Sequence, residues 1–326
     1  MQDVLTIVMY HYVRDLRHSR YPEIKGLSKE DFEAQIKYIK KNYTVIDASK
    51  LMDAIVSGAT LPPRPLVLTF DDGYIDHFTE VFPILDRENL PGCFFPPAKC
   101  ILDHEVLDVN KIHFVLASIP EAQKLVTHIF KEIDKNQSRY NLLPSAVYWE
   151  KVGKPSRFDS AEIVFCKRML QRELPFELRH AITHELFSQY VTRDEASFSQ
   201  ELYMGIEQLG VLKRHGMYVG SHGYDHFWLN TLSTQQQEKQ VDQALTFLKS
   251  AGVDIERWIM CYPYGGYNES LFSVLKSRNC VVGLTTEVGL VSLHKNNPLA
   301  LPRIDTNDIK CKVNSLPKPF FKHGSI

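Results

Sequence analysis

Asp71, Asp72 and Gly73 follow the run Leu66-Val67-Leu68-Thr69-Phe70 without a break. An apolar, β-favouring run that ends in two carboxylates reads as a buried strand delivering charge at its C-terminal end, where α/β enzymes keep their chemistry. Successive side chains on an extended chain face opposite sides, so both aspartates can meet one pocket only if the backbone turns there. Gly73 can supply that turn. Alone, Asp-Asp-Gly is more often a loop start or a helix cap. Two further strand ends change that weighing. Gly216-Met217-Tyr218-Val219-Gly220 runs into Ser221-His222-Gly223-Tyr224-Asp225-His226, and Trp258-Ile259-Met260-Cys261-Tyr262 runs into Pro263-Tyr264-Gly265. One carboxylate and two imidazoles are the ligand set of an open divalent-metal site that leaves positions for water and substrate. With one aspartate on the metal, the other stays free as a base, which is the division of labour hydrolysis needs. Backbone N–H groups at the Pro263-Tyr264-Gly265 turn could receive a developing oxyanion.

These residues need strands to carry them. Leu5 to Tyr10 reads as a first buried strand, with His11 directly after it. Ser28 caps a helix carrying Phe32, Ile36 and Ile39, and a short strand around Thr44-Val45-Ile46 precedes a second helix that stops at Gly58. Gly92-Cys93-Phe94-Phe95, Val281 to Thr285 and Leu299-Ala300-Leu301 supply further strands, and Ser233 and Asn268 cap helices between them. This alternation predicts an α/β fold with a parallel sheet, open or closed into a barrel.

The rhythm breaks from about 101 to 210. Ala122, Leu125, Val126, Ile129, Phe130 and Ile133 form one helical stripe, and Asp159 with Glu162 makes a capping-box-like start for a second helix. Leu178, Ile182, Leu186 and Tyr190 stripe a third, and Phe198, Leu202, Ile206 and Leu209 a fourth. The division expected is a barrel from 1–100 and 211–313, a mainly helical insertion or lid at 101–210, and a loosely ordered tail at 314–326. The insertion could cover the barrel mouth or bury its stripes against another subunit as a homo-oligomer. His180 and His184 stand four apart on it, but out of phase with the stripe, and read as a solvated face.

A net charge of -1 over 326 residues offers no excess of Lys and Arg to neutralise phosphates, so nucleic acid is not an expected partner. No apolar stretch is long enough to span a bilayer, and Met1-Gln2-Asp3-Val4 lacks the look of a leader, which sets a cytoplasmic expectation. Six scattered cysteines without a Cys-x-x-Cys pair read as reduced, mostly buried thiols.

Thr69-Phe70-Asp71-Asp72-Gly73-Tyr74, Ser221 to His226 and Tyr262-Pro263-Tyr264-Gly265, in that order, make the chain resemble the polysaccharide deacetylase family, the NodB-homology esterases of carbohydrate esterase family 4. The resemblance covers roughly 1–100 and 211–310. It implies a distorted (β/α)7 barrel, Asp71 as general base, and one divalent ion, zinc foremost, held by Asp72, His222 and His226. The backbone of Tyr264 would help hold the oxyanion. The activity implied is removal of an N-acyl group, foremost acetyl, from an amino sugar or from a polysaccharide or glycoconjugate precursor. A deformylase or another C–N amide hydrolase is one alternative, and a non-catalytic carbohydrate-binding relative is another.

The departures from the family pattern are informative. The arginine that the family often places three residues before the tyrosine of the third motif is Cys261 here. A branch acting on exopolysaccharide shows a similar loss, together with sequences like Met9-Tyr10-His11 and Leu301-Pro302-Arg303. Arg303 is therefore the candidate to orient Asp71, against the alternative of a surface pair with Asp305. His11, at the end of the first strand, is the candidate acid for the leaving nitrogen, or else a residue that binds the sugar. Its rival is His294, in Val291-Ser292-Leu293-His294.

Overall fold

Seven strands carry the architecture: β1 (Val4–Tyr10), β2 (Pro65–Asp71), β3 (Cys93–Phe95), β4 (Tyr218–Val219), β5 (Trp258–Cys261), β6 (Cys280–Val288) and β7 (Leu301–Asp305). The computed structural model in which they are seen describes residues 4–156 and 159–309, so the tail expected at 314–326 and Cys311 lie outside the described residues. The strands pair in the order β4-β3-β2-β1-β7-β6-β5, each parallel to its neighbour. The two ends of that path meet at a parallel bridge between Ser221 and Met260, where the Cys261 N–H donates to the Ser221 carbonyl at 2.8 Å. The fold is a distorted (β/α) barrel. β2 is buried along its whole length, which is why its sequence is a continuous apolar run and not an alternation.

The period of two along each strand fills the barrel in layers. Leu5 and Ile7, Val67, Cys93 and Phe95, Ile259 and Cys261, Val282 and Leu284, and Leu301 belong to one buried apolar cluster. Two residues on from Val67, and two again, come Thr69 and Asp71; two on from Leu301 comes Arg303. The same alternation that packs the barrel with hydrocarbon therefore delivers polar side chains in the layer above it, at the C-terminal ends of the strands.

β7 differs from its expected place. It begins at Leu301 and so contains Pro302 and Arg303, where the sequence suggests a strand at 299–301 that runs into these residues. Proline cannot donate to a ladder, and the register between β7 and β6 accordingly shifts between Leu301 and Arg303. The helices around the barrel start where their caps predict. Ser28 accepts from the Asp31 N–H, Asp47 from Lys50, Ser233 from Gln236 and Asn268 from Leu271.

The chain divides into two compact units. The barrel unit takes the residues up to Asp15, Gly26–Asp103 and those from Gln200 onward; the second takes Leu16–Lys25 and His104–Ser199. The second unit is helical, with helices at Asp108–Ser118, Ala122–Tyr140, Ser145–Val152, Ala161–Arg168 and Phe176–Tyr190. Leu125, Val126, Ile129 and Ile133 are the buried stripe of the longest of these. Asp159 does not cap the helix that follows it: Ser160 stands at the N-cap, and the Asp159 carboxylate instead accepts from Lys25 at 2.5 Å and Lys167 at 2.8 Å. His180 and His184, each about half exposed, face the carboxylates of Asp108 and Glu195 at 2.9 and 3.3 Å.

The stripe from Phe198 to Leu209 is not one helix but two, Glu195–Leu202 and Ile206–Arg214. The break has a tertiary cause. Tyr203 forms an antiparallel bridge with Tyr74, and the Met204 N–H donates to the Gly73 carbonyl at 2.9 Å, so these backbone groups serve the barrel unit instead of a helix. Among the described residues no helix is long and apolar enough to cross a membrane. The five described cysteines are free and buried.

Candidate active site

Two adjacent aspartates share one side of the chain because only the first obeys the strand. Asp71 is the last residue of β2 and points inward by alternation. Asp72 has φ 71° and Gly73 φ 67°, so the turn begins at Asp72 itself and not, as the sequence suggests, at the glycine. A left-handed aspartate is uncommon and is tolerated where surrounding contacts fix it. Gly73 is required for a second reason: a Cβ there would lie 2.7 Å from the Pro96 Cβ.

Asp72 meets the loop after β4. Its Oδ1 lies 3.3 Å from His222 Nε2 and 3.2 Å from His226 Nε2, and all three residues are buried. His226 reaches that position with φ 58°. The other nitrogen of His222, Nδ1, donates to the Cys261 carbonyl at 2.7 Å, which fixes the ring with Nε2 toward Asp72. Asp72 Oδ1 is buried and accepts no hydrogen bond from the described residues, while Oδ2 accepts one from the Tyr74 hydroxyl at 2.5 Å. Burial would raise the Asp72 carboxyl, but the two imidazoles hold it well below the usual carboxylate range. Burial pushes the His226 imidazole below its usual range. One carboxylate oxygen and two ring nitrogens that converge within 4.8 Å fit a divalent cation, which would satisfy the buried oxygen that accepts no hydrogen bond from the described residues. Asp71, His222 and Cys261 have similar spacing, but both oxygens of Asp71 already pair with a guanidinium.

That guanidinium is Arg303. Its Nη1 and Nη2 donate to Asp71 Oδ1 and Oδ2 at 2.9 and 2.7 Å, a planar two-point pair. Nη1 also donates to Thr69 Oγ1 at 3.1 Å, and Nε to the Thr285 carbonyl at 2.7 Å. Burial pushes the Asp71 carboxyl up, but the charge of Arg303 outweighs it and brings the group down to about 2. Asp71 is therefore an ionised carboxylate held in one orientation. The pair is sealed from water, not the surface pair with Asp305 considered from sequence, with side-chain exposures of 0% for Arg303 and 2% for Asp71. Breaking a buried pair strands its partner's charge, so Arg303→Met is expected to destabilise the fold by about 3–5 kcal/mol. Denaturant unfolding checks this, and Arg303→Met combined with Asp71→Asn should recover part of the loss. A single variant as stable as the parent would contradict the pairing.

His11 follows β1 on the open side of the same carboxylate, with Nε2 3.8 Å from Asp71 Oδ2 and 42% of its side chain exposed. The buried His77 fixes its backbone, donating from Nε2 to the His11 carbonyl at 2.8 Å. His294 lies elsewhere. It follows the short strand Val291–Ser292, which pairs antiparallel with Val4 and Leu5 at the opposite end of β1. With about 3.3 Å per strand residue, the length of β1 separates it from His11 and Asp71.

Tyr264 has φ 56°; its ring stacks on Trp228 at 4.7 Å and meets the edge of His226 at 4.7 Å. Of the N–H groups at this turn, Gly265 donates to the Tyr262 carbonyl at 2.9 Å and Gly266 to that of Pro263 at 3.0 Å. Two of the N–H groups at the turn considered for the oxyanion are thus engaged within it. Sequence reasoning names Tyr74 only as part of a motif and assigns nothing to Thr69, Thr285 or Trp228. The inward alternation of Thr69 was a usable signal; the contacts of Thr285 and Trp228 are with residues distant in sequence and had none.

Residues 187–282 match the family model of polysaccharide deacetylase. YxkH of Bacillus subtilis (strain 168), whose name places it among the polysaccharide deacetylases, is 29% identical over 289 residues, 88% of this chain and 66% of its own length. The poly-β-1,6-N-acetyl-D-glucosamine N-deacetylase of Escherichia coli (strain K12) is 36% identical over 63 residues, 19% of this chain and 9% of that protein. The structure of the Streptococcus pyogenes deacetylase PplD in complex with acetate superimposes with a TM-score of 0.58 at 15% identity, covering 94% of this chain and 93% of that one. Residues 187–282 thus match the polysaccharide deacetylase model, and the likeness to PplD shows that the barrel shares that fold over nearly the whole chain.

Proposed function

We propose that the protein is a metal-dependent hydrolase that removes an N-acyl group, foremost acetyl, from an amino sugar of a polysaccharide or glycoconjugate. The observation that carries this reading is the pairing of two unlike aspartates: Asp72 with the two histidines, and Asp71 held ionised by Arg303 beside them. A binding module has no need of the second. The likeness to YxkH supports a polysaccharide as substrate, and that to the N-acetylglucosamine polymer deacetylase supports an amino sugar within it.

Asp72, His222 and His226 are the residues that would hold the ion, and two imidazoles with one carboxylate suit zinc. When bound, the ion lowers the pKa of water and polarises a carbonyl. Asp71 then takes the proton of the attacking water. Arg303 keeps that carboxylate ionised and its free lone pairs aimed at one place. The Tyr264 N–H receives the oxyanion. His11 gives a proton to the departing amine, since an imidazole suits proton delivery near neutral pH and Nε2 already faces the base.

The test is acetate release from a panel of N-acetylglucosamine oligomers and monosaccharides, with N-formyl counterparts, before and after chelation. Acetate release that chelation abolishes is expected. Turnover of the formyl compounds alone would replace the reading with a deformylase. His11→Ala is expected to lower kcat about 10²-fold or more at saturating substrate, with His294→Ala near normal; the reverse pattern would reassign the acid.

A further inference from the structure

Asp72 has two oxygens in unlike surroundings. Oδ1 faces both histidine nitrogens and lacks a hydrogen-bond donor among the described residues. Oδ2 accepts from the Tyr74 hydroxyl at 2.5 Å, within the range of a charge-assisted O–H···O⁻ bond. Tyr74 is fully buried and cannot swing away. Its ring stacks on Tyr12 with centroids 4.0 Å apart and lies nearly parallel to Tyr203 at 6.1 Å. Its backbone is bridged to Tyr203, and the next break in the helical stripe, at Met204, is spent on the carbonyl of Gly73. A whole local structure thus holds one hydroxyl against one oxygen.

We propose that Tyr74 is a positioning residue that ties up Asp72 Oδ2, so that Asp72 offers a divalent ion a single oxygen. The inference rests on the metal reading of Asp72, His222 and His226 given above. A carboxylate can bind a cation through one oxygen or both. Binding through both would use a coordination position that hydrolysis needs for water or for the substrate carbonyl. The hydroxyl excludes that mode because Oδ2 cannot keep its hydrogen bond and turn to the ion. Without it, Oδ2 is a buried anionic oxygen with no donor, and turning toward the cation is its way to regain a partner.

Tyr74→Phe removes one oxygen and keeps the ring. Metal-free protein of the parent and of Tyr74→Phe is titrated with Zn²⁺ for Kd and with Co²⁺ for its visible d–d spectrum, and Tyr203→Phe serves as a control that takes a hydroxyl from the stack without touching Asp72. Second-sphere partners of metal ligands are worth about 10–100-fold in affinity. A Zn²⁺ Kd altered by that factor is expected for Tyr74→Phe alone, with a weaker Co²⁺ absorption that reports a higher coordination number. If Tyr74→Phe and the parent give the same Kd and spectrum, the proposal is overturned. Equal changes in Tyr203→Phe would also overturn it, by showing a loosened stack. A parent that takes up neither ion would overturn the metal reading itself, a separate result from the first.

Discussion

Asp71→Asn is expected to lower kcat by about 10³–10⁴-fold, toward the upper range for a general base in a fixed position, while the protein still takes up one divalent ion. The amide keeps the size of the carboxylate and can still accept from Arg303, so the site stays filled. It cannot take a proton from water. Asp71 is not within reach of being replaced by a neighbour: Asp72 is turned away by its left-handed backbone and engaged with His222, His226 and Tyr74. Metal content by elemental analysis, beside kcat on an N-acetyl sugar oligomer, separates the two aspartates. Loss of metal together with activity would mean that their roles are exchanged.

His222→Ala is expected to lose both the ion and all measurable turnover. The residue contributes Nε2 to the three-atom cluster, and its Nδ1–H bond to the Cys261 carbonyl sets the direction of that nitrogen. With two ligand atoms left, an ion held through Asp72 and His226 alone would have no fixed geometry. The loss has a thermodynamic signature independent of substrate. Free metal at about 100 times Kd stabilises a native protein by about 2.7 kcal/mol through binding linkage, so the parent's Tm should rise on adding the ion and the variant's should not. A variant with stoichiometric metal would remove His222 from the ligand set.

Much of this site could be read from local pattern. Asp71, Asp72, His222, His226 and Tyr264 stand at the ends of apolar runs, and a strand of a parallel α/β fold must end on the face where its neighbours end. Periodicity says that much because it reports burial, and buried strands of a barrel are continuous hydrophobic runs. The helical stretch between the barrel segments was legible for the same reason, as was each cap whose Ser, Asp or Asn accepts from the backbone three residues on.

Where pattern fails, a distant partner has overruled it. The stripe from Phe198 to Leu209 continues at helical spacing, yet the chain breaks at Tyr203 because its backbone pairs with Tyr74. Asp159 has the right neighbours for a cap and is drawn instead to Lys25 and Lys167. β7 runs through Pro302 because the proline falls at a shift in register, a fact only the neighbouring strand contains.

By itself, then, the sequence determined that strands alternate with helices, that charged and imidazole groups cluster at strand ends, and that their types suit a hydrolytic metal site. Those are properties of short stretches, set by side-chain period and turn chemistry. Only the tertiary structure decided which groups meet. It put Arg303 on Asp71 through the register of β7 beside β1, and sent His294 to the far end of β1 while leaving His11 at the near one. It also turned Asp72 into the left-handed region to face the histidines and Tyr74. The physical reason is that the partners concerned, β1 for β7 and His222 with His226 for Asp72, lie far away in sequence, where no local window contains them.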